Sequence, residues 1–213
     1  MRLYLSSLGL GDATPELLAL APRGRVALIM NALDGDASSR GHWQADQTQE
    51  LGALGYRVDE LDLRRFFGTP DALEADLADV DMVWINGGNT FVLMRAMWLS
   101  GFNRIIAKRL TENSIVYGGF SAATIAATPS LRGIEAVDDP RQVPEGYPGE
   151  IVWDGLGLVP FRVAVHYRSD HPESDDVEEE IAFYEREGLA YRTLRDGQVL
   201  VVKDAVGGVE LIG

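Results

Sequence analysis

The 213-residue chain predicts a single α/β domain over 1–213, with a mostly parallel sheet flanked by helices on both faces in flavodoxin-like layers. Three observations carry that prediction. Short, near-continuous apolar runs alternate with amphipathic stretches along most of the length, the pattern of strands buried on both faces. A hydrophobic fraction of 46% beside a charged fraction of 24% suits an ordinary globular core. No internal repeat, low-complexity tract or linker divides the chain.

The elements follow in order. Residues 2–6 and 25–31 read as strands, the second around Val26-Ala27-Leu28-Ile29-Met30. A polar helical stretch at about 41–54 leads to a strand at 57–63. Residues 71–79 read as a helix and 81–86 (Asp-Met-Val-Trp-Ile-Asn) as a buried strand. Two helical segments at about 90–99 and 102–112 precede a strand at 114–118. Between 131 and 157, Pro140, Pro144 and Pro148 fall among glycines and acids, which reads as a long surface excursion. Strand order resumes at 161–165, followed by a helix at about 174–187 and strands at 189–194 and 198–204.

The formal net charge is −14, with Lys108 and Lys203 the two lysines. A field of that sign repels phosphate backbones, so nucleic acid is not an expected partner. The absence of cysteine removes disulfides, thiolate metal sites and a cysteine nucleophile. No apolar run approaches the roughly 18–20 residues of a membrane helix. The opening Met-Arg-Leu-Tyr-Leu-Ser-Ser reads as a strand rather than a leader, so a cytoplasmic location is expected.

Chemistry concentrates at Val116-Tyr-Gly-Gly-Phe-Ser-Ala-Ala-Thr-Ile-Ala126, where an apolar run stops at paired glycines and one serine precedes small helix formers. Ser121 reads either as a helix cap or as a nucleophile on a sharp strand-to-helix turn, which tolerates only small neighbours. A second corner, Asn86-Gly87-Gly88-Asn89-Thr90, follows the strand before it. Its glycines let backbone N–H groups approach a ligand, to complete an oxyanion hole or to cradle a phosphate. It matches neither a Walker loop nor the dinucleotide fingerprint.

Of the three histidines, His42 starts a polar helix and His171 falls in an expected exposed turn beside Pro172. His166 closes the strand at 161–165, so position selects it as a base. Asp138, Asp139 and Asp196 are the candidate carboxylates to orient it. Spacing does not choose among them, because Asp196-Gly197 between two strand-like runs is also a hairpin signal. The stretch around His166, Asp170, His171 and Asp175 or Asp176 is rich in metal-ligand types. It has none of the ordered spacings of zinc enzymes, and no metal or cofactor is expected.

Together, Gly-Gly-Asn-Thr at 87–90, Gly-x-Ser-Ala at 119–122, Gly155-Leu-Gly-Leu-Val159 and His166-Tyr167 resemble the peptidase E (aspartyl dipeptidase) family over nearly the whole chain. The resemblance implies a class I glutamine amidotransferase-like fold and a serine peptidase acting on small peptides. It implies Ser121 as nucleophile, His166 as base, and Asp196 as the acid in its Leu-x-acid-Gly setting. It further implies the N–H groups of Gly88 and Ala122 as oxyanion donors. Asn89 and Arg168 are the substrate-binding candidates, Arg168 as the cation an aspartyl substrate requires. Three departures bear on specificity: Ala123 stands where the family has glycine, Asp196 where the dipeptidases have glutamate, and the chain stops soon after its last strand-like run. The alternative is a catalytically weak or inactive peptide- or small-molecule-binding homologue of the same fold. A homodimer remains open.

Overall fold

Apolar strands with period-two alternation build the centre of the molecule. In β1 (Arg2–Ser6), Leu3 and Leu5 point into one hydrophobic layer and Tyr4 into the other. The computed structural model describes residues 1–22, 24–203 and 208–213. After β1 the chain runs through α1 (Thr14–Leu20), β2 (Arg25–Ile29), α2 (Ala37–Ala53), β3 (Arg57–Glu60), α3 (Pro70–Asp76) and β4 (Met82–Ile85). Then come α4 (Thr90–Ser100), α5 (Phe102–Thr111), β5 (Val116–Phe120) and the short α6 (Ala122–Ala126). The last part holds β6 (Arg162–Ala164), α7 (Ser174–Arg186), β7 (Tyr191–Thr193), β8 (Val199–Val202) and β9 (Glu210–Ile212).

Seven strands form one sheet in the order β3-β2-β4-β5-β1-β8-β9. The first five are parallel, and β8 and β9 add antiparallel at one edge. Leu17 and Leu20 of α1 and Leu51 of α2 pack on one face. Leu73 of α3, Phe91 and Leu93 of α4, Ile106 of α5 and Ala122 of α6 pack on the other. The single-domain, mostly parallel, doubly covered sheet expected from the sequence is thus present.

Three features depart from the expectation. The strand expected at 161–165 does not join the main sheet: β6 pairs in parallel with β7 in a separate two-stranded sheet. The turn at Asp196-Gly197 therefore makes no hairpin, because β7 belongs to the small sheet and β8 to the large one. α1 and β9 were not expected at all. The final residue of the strand read at 198–204, Asp204, lies outside the described residues.

The excursion at 131–157 is held down by a buried cation. Arg95 of α4, 1% exposed, donates to the carbonyl oxygens of Pro140, Gln142 and Glu150 at 2.6–2.9 Å. Three carbonyls around one guanidinium satisfy a charge that burial would otherwise penalise.

Candidate active site

The carboxyl ends of β4, β5 and β1 meet at one point of the sheet, and the serine corner sits there. Ser121 adopts φ 50° and ψ −111°, a left-handed region that a side chain with a Cβ avoids. Such strain, of order 1–3 kcal/mol, persists only where the surroundings hold it. Here the Ser121 N–H donates to the carbonyls of both Ser6 (3.2 Å) and Ser7 (3.1 Å), and Thr124 Oγ1 donates to Ser6 O at 2.7 Å. The glycines beside it are steric necessities. A Cβ on Gly119 would lie 2.3 Å from Ile85 O, and one on Gly87 would lie 3.0 Å from Ser121 Cβ. Ala123 fits the corner with its methyl turned toward the bare Gly119.

Two backbone donors are free at this corner. Ala122 opens α6, so its N–H has no acceptor within the helix. Gly88, at φ 129°, has no hydrogen-bond partner for its N–H among the described residues and lines the cleft in front of Ser121. A side chain at Gly88 would strike Ala32 O at 2.7 Å, so glycine alone allows the loop to approach there.

His166 comes from a different part of the molecule. It follows β6 with φ 56° and is 1% exposed. Its Nδ1 lies 2.7 Å from Asp196 Oδ1. A carboxylate only accepts, so Nδ1 carries the hydrogen and Nε2 presents a lone pair. Ser7 ties the pair down: its hydroxyl donates to Asp196 Oδ1 at 2.8 Å and accepts from the His166 N–H at 2.9 Å. Asp196 N–H in turn donates to Ser169 Oγ at 2.8 Å. Burial lowers the His166 pKa below the usual histidine value, with neighbouring His171 adding to the effect and Asp196 opposing it. Burial thus favours the neutral ring.

Ser121, His166 and Gly88 line one cleft of about 150 Å³. Asp138 does not approach His166 as a partner. Its carboxylate accepts from Thr90 N–H at 2.8 Å, and burial pushes its pKa up to about 6. Asp139 lies at the surface and bonds its own turn through Arg141 N–H. Asn89 caps α4 by accepting from Val92 N–H at 3.0 Å, and its amide donates to Asp139 O. Arg168 is exposed, pairs with Glu178 at 3.1 Å, and is not among the cleft residues.

Two participants, Ser7 and Glu173, were not read from the sequence, and His171 was weighed only as a metal ligand. Ser7 is the second of two adjacent serines at a strand end with no motif around it. His171, expected in an exposed turn, stacks on His166 with ring centroids 3.7 Å apart and planes 6° from parallel. Glu173, two residues on, lines the same cleft. Among the described residues His166, His171 and Glu173 form the one grouping with ligand atoms close enough for a shared ion. Asp170, Asp175 and Asp176, the other residues weighed for a metal, stand outside it. His42 is exposed and pairs with Asp46 on α2.

The model of Peptidase family S51 matches residues 12–208. Peptidase E of Streptomyces coelicolor is 32% identical over 148 residues, covering 67% of this chain and 57% of that protein. A Drosophila melanogaster protein named "Probable alpha-aspartyl dipeptidase" is 30% identical over 155 residues, covering 69% and 58%. The chain thus spans a little over half the length of these relatives. A crystal structure of a Listeria monocytogenes EGD-e protein shares the fold at TM-score 0.80 and 20% identity, over 99% of this chain and 97% of that one. That of a peptidase from an acI-B1 actinobacterium does so at TM-score 0.67 and 14% identity. Among the described residues no helix is long and apolar enough to cross a membrane. With nearly its whole length matched, the chain belongs to Peptidase family S51.

Proposed function

We propose that the protein is a serine peptidase acting on small peptides. Ser121 Oγ attacks the scissile carbonyl while His166 Nε2 takes its proton and later returns it to the leaving amine. Asp196 fixes the tautomer of His166 and stabilises the imidazolium as it forms. The N–H groups of Gly88 and Ala122 receive the oxyanion, where removing one such donor typically costs about 10²–10³ in kcat. The observation that carries the reading is the part-buried His166 Nδ1–Asp196 Oδ1 bond of 2.7 Å, beside a cleft that also presents a serine at φ 50°.

The Ser121 hydroxyl makes no hydrogen bond among the described residues, to His166 or to any other group. Such contacts are often loose before substrate binds. The same observation favours a second reading, a binding protein of this fold in which the hydroxyl is never activated. A fluorophosphonate probe separates the two, since an activated Ser121 is labelled and an idle one is not. Ser121→Ala should lower kcat/KM on small peptides or activated esters by more than about 10⁴-fold while leaving the near-ultraviolet circular dichroism unchanged. Turnover surviving in that variant would remove Ser121 from the mechanism.

A further inference from the structure

The cleft in front of Ser121 is supplied with acceptors and lacks cations. Among the described residues no arginine or lysine lines it, and its one carboxylate is Glu173. That carboxylate accepts no hydrogen bond among the described residues. His171 Nδ1 lies 3.9 Å from its Oε2 and is itself used as an acceptor by the Glu173 N–H at 3.3 Å. A second acceptor points to the same need. Asn86, 1% exposed and also lining the cleft, donates through Nδ2 to Gly87 O, but its Oδ1 is buried without any partner. A buried acceptor left unpaired is costly, as Asn86 Oδ1 is, and beside the partly exposed, unpaired carboxylate of Glu173 it suits a ligand that brings hydrogens.

We propose that Glu173 and Asn86 receive the free α-ammonium group of a peptide substrate, and that the side chain of its first residue is apolar rather than acidic. An ammonium supplies three donors and a positive charge, the complement of a carboxylate and an orphaned carboxamide oxygen. The remaining walls fit an apolar side chain, for Leu8, Leu33, Trp43 and Phe120 surround the same space. An aspartyl side chain would find no cation there. Burial and the neighbouring acids push the Glu173 carboxyl upward, as expected of an anion lacking its counter-ion.

This inference names the substrate of the peptidase site proposed above and rests on that reading, but binding tests it without turnover. Calorimetry on the Ser121→Ala protein compares Leu-Leu, N-acetyl-Leu-Leu and Asp-Leu. Leu-Leu should bind about tenfold to a hundredfold more tightly than its acetylated form, the worth of one hydrogen bond to a charged group. It should also bind more tightly than Asp-Leu. Adding Glu173→Gln, of nearly the same shape, should erase the preference for the free amine. Equal binding of the free and acetylated peptides, tightest binding of Asp-Leu, no binding of Leu-Leu, or a preference that survives Glu173→Gln would each overturn the proposal. Probe labelling of Ser121 in the wild-type protein is read separately. Its failure would sink the hydrolase reading and leave the binding result standing.

Discussion

The two corners that meet at the cleft are built by opposite means. The serine corner is local and steric: β5, Ser121 and α6 are contiguous, and the conformation is enforced by backbone packed so closely that Gly119 has no room for a methyl. The histidine corner is distant and polar. His166, Asp196 and Ser7 come from three separated stretches and are joined by hydrogen bonds of 2.7–2.9 Å. A nucleophile must be lifted out of a sheet, which hard contacts do well. A base must keep one tautomer while it gains and loses a proton, which needs acceptors and donors set around it.

After loss of Ser121 itself, the largest effect should come from cutting the polar corner at its anion. Asp196→Asn leaves the shape but offers Nδ1 a donor as readily as an acceptor, so kcat should fall by about 10³–10⁴ with the fold unchanged. A loss below tenfold would mean another group holds the ring. Next is the steric corner. Gly119→Ala forces its methyl against Ile85 O at 2.3 Å and should lower stability by about 1–3 kcal/mol in urea unfolding, with activity falling alongside. An unchanged midpoint would show that the corner yields more easily than the close packing implies.

Ser7→Ala separates the two kinds of support more finely. It removes one donor to Asp196 and the acceptor for the His166 N–H, without touching substrate. About a tenfold loss in kcat with KM unchanged is expected. Ser7→Thr, which keeps the hydroxyl, should recover part of it. A change in KM alone would make Ser7 part of the binding surface instead.

The smallest effect is in pH. Burial lowers the pKa of His166, and the proposed mechanism uses the neutral ring, so the acid limb of kcat/KM should lie below the ordinary histidine value of about 6.5. The sign for stability agrees. The unfolded chain takes up this proton first on acidification, so the contribution is full above about pH 6.5 and is lost as pH falls through that value toward the lower folded pKa. An acid limb above 6.5 would mean that the attraction of Asp196 outweighs burial.

What was legible in the sequence follows the same division. The serine corner could be read because its parts adjoin: an apolar strand, paired glycines, Ser121 and small residues report a tight turn without reference to anything else. His166 was readable from its place after a strand, although that strand belongs to a small sheet of its own. Asp196 emerged only by resemblance, since Asp-Gly between apolar runs speaks equally for a hairpin. Ser7 and Glu173 left no signal, and His171 was read only as a metal-ligand type in an exposed turn. Their roles depend on which strand ends become neighbours, and a strand's pairing partner is a long-range property that local periodicity does not encode. The buried Arg95 escaped for the same reason, as its partners are carbonyl groups, which every residue has.

The Ser7–Asp196 hydrogen bond spans 189 residues of chain. During synthesis, a polypeptide that has emerged only through α7 already carries the serine, its glycines and the histidine, but nothing yet to hold the imidazole. The histidine corner is thus assembled last, when the late-made turn after β7 closes onto the end of the first strand. On the proposed function, peptide cleavage is in this way withheld from half-made molecules, and turnover doubles as a report that both ends of the domain have found each other.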